Sequence, residues 1–114
     1  MSDLLDKKCI PCEGGILPFD IGEIHKYQKK VDGWSLKKNE KKIYFLEKNF
    51  DFKNFMHSQN FIIKVGKISE QENHHPDISY GWGYAKILIT THAIKGLSEN
   101  DFILAAKIDQ IFSV

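Results

Sequence analysis

The spacing of apolar residues switches repeatedly between a helical and a strand period, and this alternation constrains the fold more than any other feature of the chain. Residues 20–30 carry apolar side chains three and four positions apart and predict a helix that ends at an Asp-Gly turn pair. Trp34–Lys37 and Lys42–Asn49 flank a polar stretch and predict a β-hairpin. The first half is therefore predicted as one helix followed by two strands.

The rest of the chain repeats this order. A helical stripe begins after Asp51, the expected N-cap, and ends near Asn73 before a proline. From residue 78 the apolar period becomes two, which predicts a strand. The side chains expected on one face of this strand are Ile78, Tyr80, Trp82 and Tyr84. The remaining predicted elements are a turn near Gly83–Ala85, a strand over Lys86–His92 and a helix opened by a capping box at Ser98–Asp101.

The resulting order α-β-β-α-β-β-α predicts an α+β fold of two layers, a four-stranded antiparallel sheet with three helices on one face. With 114 residues, the chain suits a single domain, residues 1–114, that opens with a turn-rich arm over residues 1–18. One face or edge of such a sheet would stay uncovered. We therefore expect a homodimer or a homotetramer.

Charge and hydropathy exclude two classes of partner. Sixteen lysines and no arginine stand against fifteen acidic residues, so the formal charge of +1 provides no field that would attract nucleic acid. No apolar run approaches the roughly 18 residues of a membrane span, and the N-terminal stretch lacks the apolar core of a signal peptide. We expect a cytoplasmic protein with no nucleic-acid partner and no membrane partner.

Cysteine and glycine patterns favour neither a metal site nor a bound cofactor. Cys9 and Cys12 have no second cysteine pair, and His74 and His75 lack the i, i+4 spacing of zinc ligands on a helix. The glycines at 81 and 83 fall within a strand pattern and not in a phosphate-binding loop. We expect no metal and no cofactor.

Two adjacent histidines are the strongest candidates for chemistry. His74 and His75 follow an acidic helix end, and Pro76 disfavours helical geometry at His75. Imidazoles donate and accept protons near neutral pH, so acid–base catalysis is one interpretation and a pair of solvated surface histidines is the other. His92 lies near a strand end, where its structural interpretation is a hydrogen-bonded histidine at the sheet edge. Asp101 is expected to cap the last helix by reaching back to Ser98, and a minor catalytic role is the alternative.

These residues recur in a known signature. The residues that carry the match are Glu70, His74, His75, Pro76, Trp82, His92 and Asp101. Their order and spacing resemble the signature of the pterin-4a-carbinolamine dehydratases. Cys-Ile-Pro-Cys-Glu-Gly-Gly at 9–15, Asp-Gly-Trp at 32–34 and Gly-Leu-Ser-Glu-Asn-Asp-Phe at 96–102 extend the resemblance to bacterial-type members over nearly the whole chain.

The resemblance implies the same α+β fold and a dehydratase that converts 4a-hydroxytetrahydrobiopterin to quinonoid dihydropterin and water without a cofactor. It implies that His74, His75 and His92 are catalytic. Because a proline and a strand end would hold His75 and His92, we expect these two to transfer protons and His74 to contact the pterin. The residues expected to bind the substrate, with Trp82 belonging either to the site wall or to the core, are Glu70, Pro76, Trp82, Thr91, Ala93 and Ile94.

The resemblance also implies a biological setting and two alternatives. Aromatic amino acid hydroxylases oxidise the pterin that the dehydratase recycles, so functional coupling to a hydroxylase is expected. Some family members bind a transcription-factor dimerisation segment, which would make this chain a binding module. In the other alternative, the fold serves a different pterin, in folate or molybdopterin metabolism.

Overall fold

The computed structural model of the protein describes residues 2–10 and 17–113. The elements, in chain order, are α1 (Ser2–Leu5), α2 (Ile21–Gln28), β1 (Ser35–Lys38), β2 (Tyr44–Asp51), α3 (Phe55–Glu72), β3 (Asp77–Gly81), β4 (Tyr84–Ile89), a 3-10 turn (His92–Ile94) and α4 (Glu99–Ser113). The predicted α+β order is confirmed, and the short α1 precedes it. Within the predicted arm, residues 2–5 form this helix and Leu4 is fully buried. Cys12 lies outside the described residues.

The strands form one antiparallel sheet in the order β1-β2-β4-β3. Side chains alternate between the two faces of a strand, and in β4 this places Ala85, Ile87 and Ile89 on the buried face. The helices contribute the other half of the core, above all through residues 102–106 of α4, all of which are buried. The core therefore lies between the sheet and its helical layer.

The start of α3 differs from the prediction. Asp51 is the last residue of β2 and pairs with Tyr84, so it is not the N-cap. The cap is Asn54, whose side chain accepts a hydrogen bond of 2.9 Å from the backbone N–H of His57. Pairing of β2 with β4 is the competing interaction, because it keeps the backbone extended through Asp51. The predicted end near Asn73 is confirmed, since this residue caps the helix in the left-handed conformation at φ 52°.

The turn between β3 and β4 comes earlier than predicted. Gly81 already pairs with Tyr84, so the chain reverses at Trp82 and Gly83, and Gly83 adopts φ 82°. A side chain would strain this left-handed backbone, which suits glycine. The sequence predicts that Ile78, Tyr80, Trp82 and Tyr84 share one face of a strand. This prediction is wrong beyond Tyr80, because the reversal puts Tyr84 on the opposite side of the sheet.

No helix within residues 2–10 and 17–113 is long and apolar enough to cross a membrane. The longest, α3, has 18 residues and exposes Lys64 and Lys67. Its buried positions Phe61 and Val65 form one stripe, as expected for a helix that covers a sheet with one side only.

Candidate functional site

The predicted histidines meet where α3 ends, β4 ends and α4 begins. His74 and His75 follow α3, and His92 opens the 3-10 turn after β4. Together they line a cavity of about 430 Å³, which we call the histidine cavity. Its lining consists of Lys8, Cys9, Ile10, Gln71, Glu72, Asn73, His74, His75, Thr90, Thr91, His92, Ala93 and Asn100. A cavity of this size is in the range that holds small ligands.

His74 is the most firmly held of the three. Its Nε2 lies 2.8 Å from Oδ1 of Asp101, and only 12% of the His74 side chain is exposed. A carboxylate only accepts hydrogen bonds, so this contact places the proton of the neutral ring on Nε2 and leaves Nδ1 as an acceptor. A fixed tautomer and a fixed ring are what a proton-transfer group needs.

Asp101 has two structural tasks. The expected capping contact is present, since Oδ2 accepts a hydrogen bond of 2.8 Å from the backbone N–H of Ser98. The same oxygen accepts a bond of 2.8 Å from Oγ1 of Thr91, while the other oxygen contacts His74. The carboxylate is fully buried, so these donors replace the water that would otherwise solvate it. Asp101 therefore joins the cap of α4 to the histidine cavity.

His75 has a much more exposed environment. Its Nε2 contacts Oε2 of Glu70 one turn back on α3, and 56% of the His75 side chain and 77% of the Glu70 side chain are exposed. The expected contact between Glu70 and a histidine is therefore present. Pro76 is expected to hold His75 through the backbone, but the side-chain contact with a buried partner belongs to His74.

His92 is an exposed residue of the 3-10 turn and does not end a strand, which corrects the predicted strand over Lys86–His92. β4 stops at Ile89 because the chain folds back, with the N–H of Thr91 donating to the carbonyl of Gly96 at 2.9 Å. This bridge holds the base of the turn that carries His92.

His75 and His92 also line a second cavity of about 220 Å³ on the outer face of the sheet, the sheet cavity. The floor of the sheet cavity includes Phe45 and Leu88, which makes it more apolar than the histidine cavity. The two imidazoles thus lie between a polar and an apolar space. The arrangement can hold a ligand that has a polar part and an apolar part.

The other predicted site residues separate into two groups. Thr91 and Ala93 line the histidine cavity. Pro76 and Ile94 are absent from the described linings of both cavities. Trp82 lies at the turn before β4, at the opposite end of that strand from His92, and is 73% exposed.

Sequence patterns missed one side of the histidine cavity. Lys8, Cys9 and Ile10 line it, although they stand more than 60 positions before His74 in the chain. Burial first, and then the negative charge of Glu72, raise the pKa of the Cys9 thiol to about 12. No local signal predicts this contact, because it depends on how the N-terminal segment meets α3 and α4. Among the described residues, no three His, Cys, Asp or Glu side chains are placed to hold a metal ion.

Comparison with known proteins shows what the chain is similar to. A family model described as pterin 4 alpha carbinolamine dehydratase matches residues 18–111. A protein of Methylococcus capsulatus, provisionally named a pterin-4-alpha-carbinolamine dehydratase, is 47% identical over 108 residues, which are 95% of this chain and 92% of the relative. A protein of Rubrobacter xylanophilus with the same provisional name is 40% identical over 111 residues, 97% of this chain and 100% of the relative.

Two solved structures share the fold. One is a transcriptional coactivator/pterin dehydratase from Brucella melitensis, with a TM-score of 0.74 and 23% identity, which covers 83% of this chain and 98% of that chain. The other is a pterin dehydratase-like protein identified as a RuBisCO assembly factor in the alpha-carboxysome, with a TM-score of 0.59 and 22% identity over 69% of this chain and 88% of that chain.

Proposed function

Because the chain belongs to the pterin-4-alpha-carbinolamine dehydratase family, we propose that it removes water from 4a-hydroxytetrahydrobiopterin by histidine acid–base catalysis. The observation that carries the proposal is the contact of His74 with the buried Asp101 at the wall of the histidine cavity. The protein would act in the cytoplasm and return the pterin used by an aromatic amino acid hydroxylase.

The reaction needs one proton acceptor and one proton donor. The N5–H bond and the C4a–O bond of the substrate break, a double bond forms between N5 and C4a, and the leaving hydroxyl takes up a proton to become water. No electrons are gained or lost overall. Two positioned imidazoles supply both proton transfers.

We assign the acceptor role to His74 and the donor role to His92. Asp101 stabilises the positive charge that His74 gains when Nδ1 takes the proton, as carboxylates do for the ring that they contact. His92 stands on a turn whose base is closed by the bond between Thr91 and Gly96. His75, exposed and paired with Glu70, would contact and orient the substrate.

The direct test is turnover of synthetic 4a-hydroxytetrahydrobiopterin by the purified protein. We expect a dehydration rate that rises with protein concentration well above the rate in buffer alone. The His74→Ala variant is the matched negative control. A rate indistinguishable from buffer for the wild-type protein would reject the proposal, and a preference for another pterin substrate would redirect it to that pterin.

We also propose self-association. β1 and β3 are the two edges of the sheet, and Ile78 on β3 is partly exposed. On α3, Met56 and Ile63 are more than half exposed, with 57% and 52% accessible. Burial of such apolar surface between copies is the usual reason for a symmetric oligomer. Light scattering should give a mass of a dimer or a tetramer, and a mass near 13.2 kDa would contradict this.

A further inference from the structure

The N-terminal segment forms one side of the histidine cavity. Residues 8–10, which we call the N-terminal strap, line this cavity together with the histidines. The family model begins at residue 18, so the strap lies outside the part of the chain that the model matches.

Asn100 is the first anchor of the strap. Its Oδ1 accepts a hydrogen bond of 3.0 Å from the N–H of Ile10, and its Nδ2 donates a bond of 2.6 Å to the carbonyl of the same residue. The Asn100 residue is only 5% exposed. A buried amide that satisfies both polar groups of one backbone residue fixes that backbone in place.

Glu72 is the second anchor. Its Oε1 accepts a hydrogen bond of 2.8 Å from the N–H of Cys9, and its Oε2 accepts one of 2.7 Å from Nζ of Lys107. Glu72 is 6% exposed. Burial raises the pKa of this carboxyl group, but the bonds from Lys107 and Cys9 outweigh it, so the pKa lies below its ordinary value. Glu72 therefore holds the strap as a charged carboxylate.

The chain before the strap is also tied down. Leu4 is fully buried in the core, and Nζ of Lys7 donates to Oε2 of Glu99 at 2.7 Å. In contrast, Ile10 is 69% exposed, so its side chain contributes little to the core. The strap is held through its backbone bonds to the two anchors and through the Cys9 thiol, which donates to the carbonyl of Asn100 at 3.5 Å and packs against the core.

We propose that the N-terminal strap is a wall of the substrate pocket and that Asn100 and Glu72 are positioning residues that hold this wall against the bound pterin. This inference rests on the proposed function. A wall that contacts substrate and transition state equally contributes binding and not chemistry. Loosening the strap should therefore raise KM and leave kcat nearly unchanged.

The experiment uses the full chain with Cys12→Ser, so that Cys9 is the remaining thiol of the two in the sequence. Asn100→Ala removes the first anchor. Ile10→Pro removes the donating N–H from the exposed strap itself and leaves α4 intact, so it covers the case in which Asn100→Ala fails to fold. Ile108→Val, a change at a buried core position of α4 outside the histidine cavity, is the control for a general loss of stability.

Two readouts report on the strap. The alkylation rate of Cys9 measures how often the strap opens, and we expect it to rise about 10-fold in both strap variants and to stay unchanged in the control. Steady-state kinetics should show KM raised about 5- to 10-fold with kcat within about twofold. Binding of 7,8-dihydrobiopterin, followed by fluorescence, should weaken in parallel with KM.

Each contrary result has its own meaning. Faster alkylation with an unchanged KM would reject the strap as a wall of the substrate pocket. Unchanged alkylation would reject Asn100 as its anchor, and an equal rise of KM in Ile108→Val would assign the effect to stability. Wild-type protein that neither turns over nor binds a pterin would instead reject the proposed function, and this inference with it.

Discussion

Nε2 of His74 and Oδ1 of Asp101 lie 2.8 Å apart, and the carboxylate is fully buried while the ring faces the histidine cavity. The other oxygen of Asp101 accepts hydrogen bonds from Oγ1 of Thr91 and from the backbone N–H of Ser98, the residue before α4. One carboxylate therefore couples the position of a candidate catalytic ring to the start of a core helix. Replacing Asp101 should therefore change both kcat and the free energy of unfolding, and a control on the same helix separates the two effects.

Asp101→Asn should lower kcat about 10²-fold, because the ring of His74 loses the charge and the orientation that the carboxylate provides. It should also lower the free energy of unfolding by about 1 kcal/mol through the weakened cap. Asp109→Asn is the matched control on the same helix, since Asp109 binds Trp34 and Lys48 away from the cavity. Kinetics and urea unfolding on both variants make the comparison. Equal kcat in the two variants would limit Asp101 to a structural role.

The three histidines should differ in kinetic effect. His74→Ala and His92→Ala should each lower kcat by about 10²-fold or more, the scale of a lost general acid or base. His75→Ala should chiefly raise KM, because its side chain is exposed and paired only with Glu70 among the described contacts. His25→Ala, an exposed position on α2, is the control. If His74→Ala keeps wild-type turnover with an intact far-UV spectrum, its assignment as proton acceptor is wrong.

Trp82→Ala should leave turnover within about twofold and change the free energy of unfolding by no more than about 0.5 kcal/mol, as for most exposed positions. The reason is its place at the turn before β4, 73% exposed and at the far end of that strand from His92. Turnover assays and thermal unfolding check both expectations. A large loss of turnover with normal stability would indicate that Trp82 of one copy reaches the site of another.

Acid should loosen the strap through Glu72. The pKa of this group is lower in the folded protein than its ordinary value of 4.5, so the group stabilises the fold above that value and the stabilisation is lost as the pH falls through the folded pKa. Urea unfolding from about pH 6 to pH 3 should therefore show a steeper loss of stability for the wild type than for Glu72→Gln, which does not titrate. Parallel curves would show that Glu72 is not coupled to folding.

Local sequence patterns determined the order of the elements. Strand and helix periods depend only on which side chains face the core. The strand predicted over Lys86–His92 lies at Tyr84–Ile89, and the helix predicted between Asp51 and Asn73 lies at Phe55–Glu72, so both are found to within a few residues. The errors lie at boundaries set by pairing. Asp51 stays in β2 because β4 lies beside it, and the chain reverses at Trp82 because Gly81 and Tyr84 already pair.

The candidate site shows the same division. The spacing of His74, His75 and His92 and its resemblance to a family signature identified the residues that now line one cavity. Only the tertiary structure decided that Asp101 reaches His74 as well as its own helix cap. It also decided that residues 8–10 line the cavity and that Asn100 bonds the backbone of Ile10. Such contacts join side chains far apart in the sequence, and periodicity describes a segment's own faces but not the distant group that one face will meet.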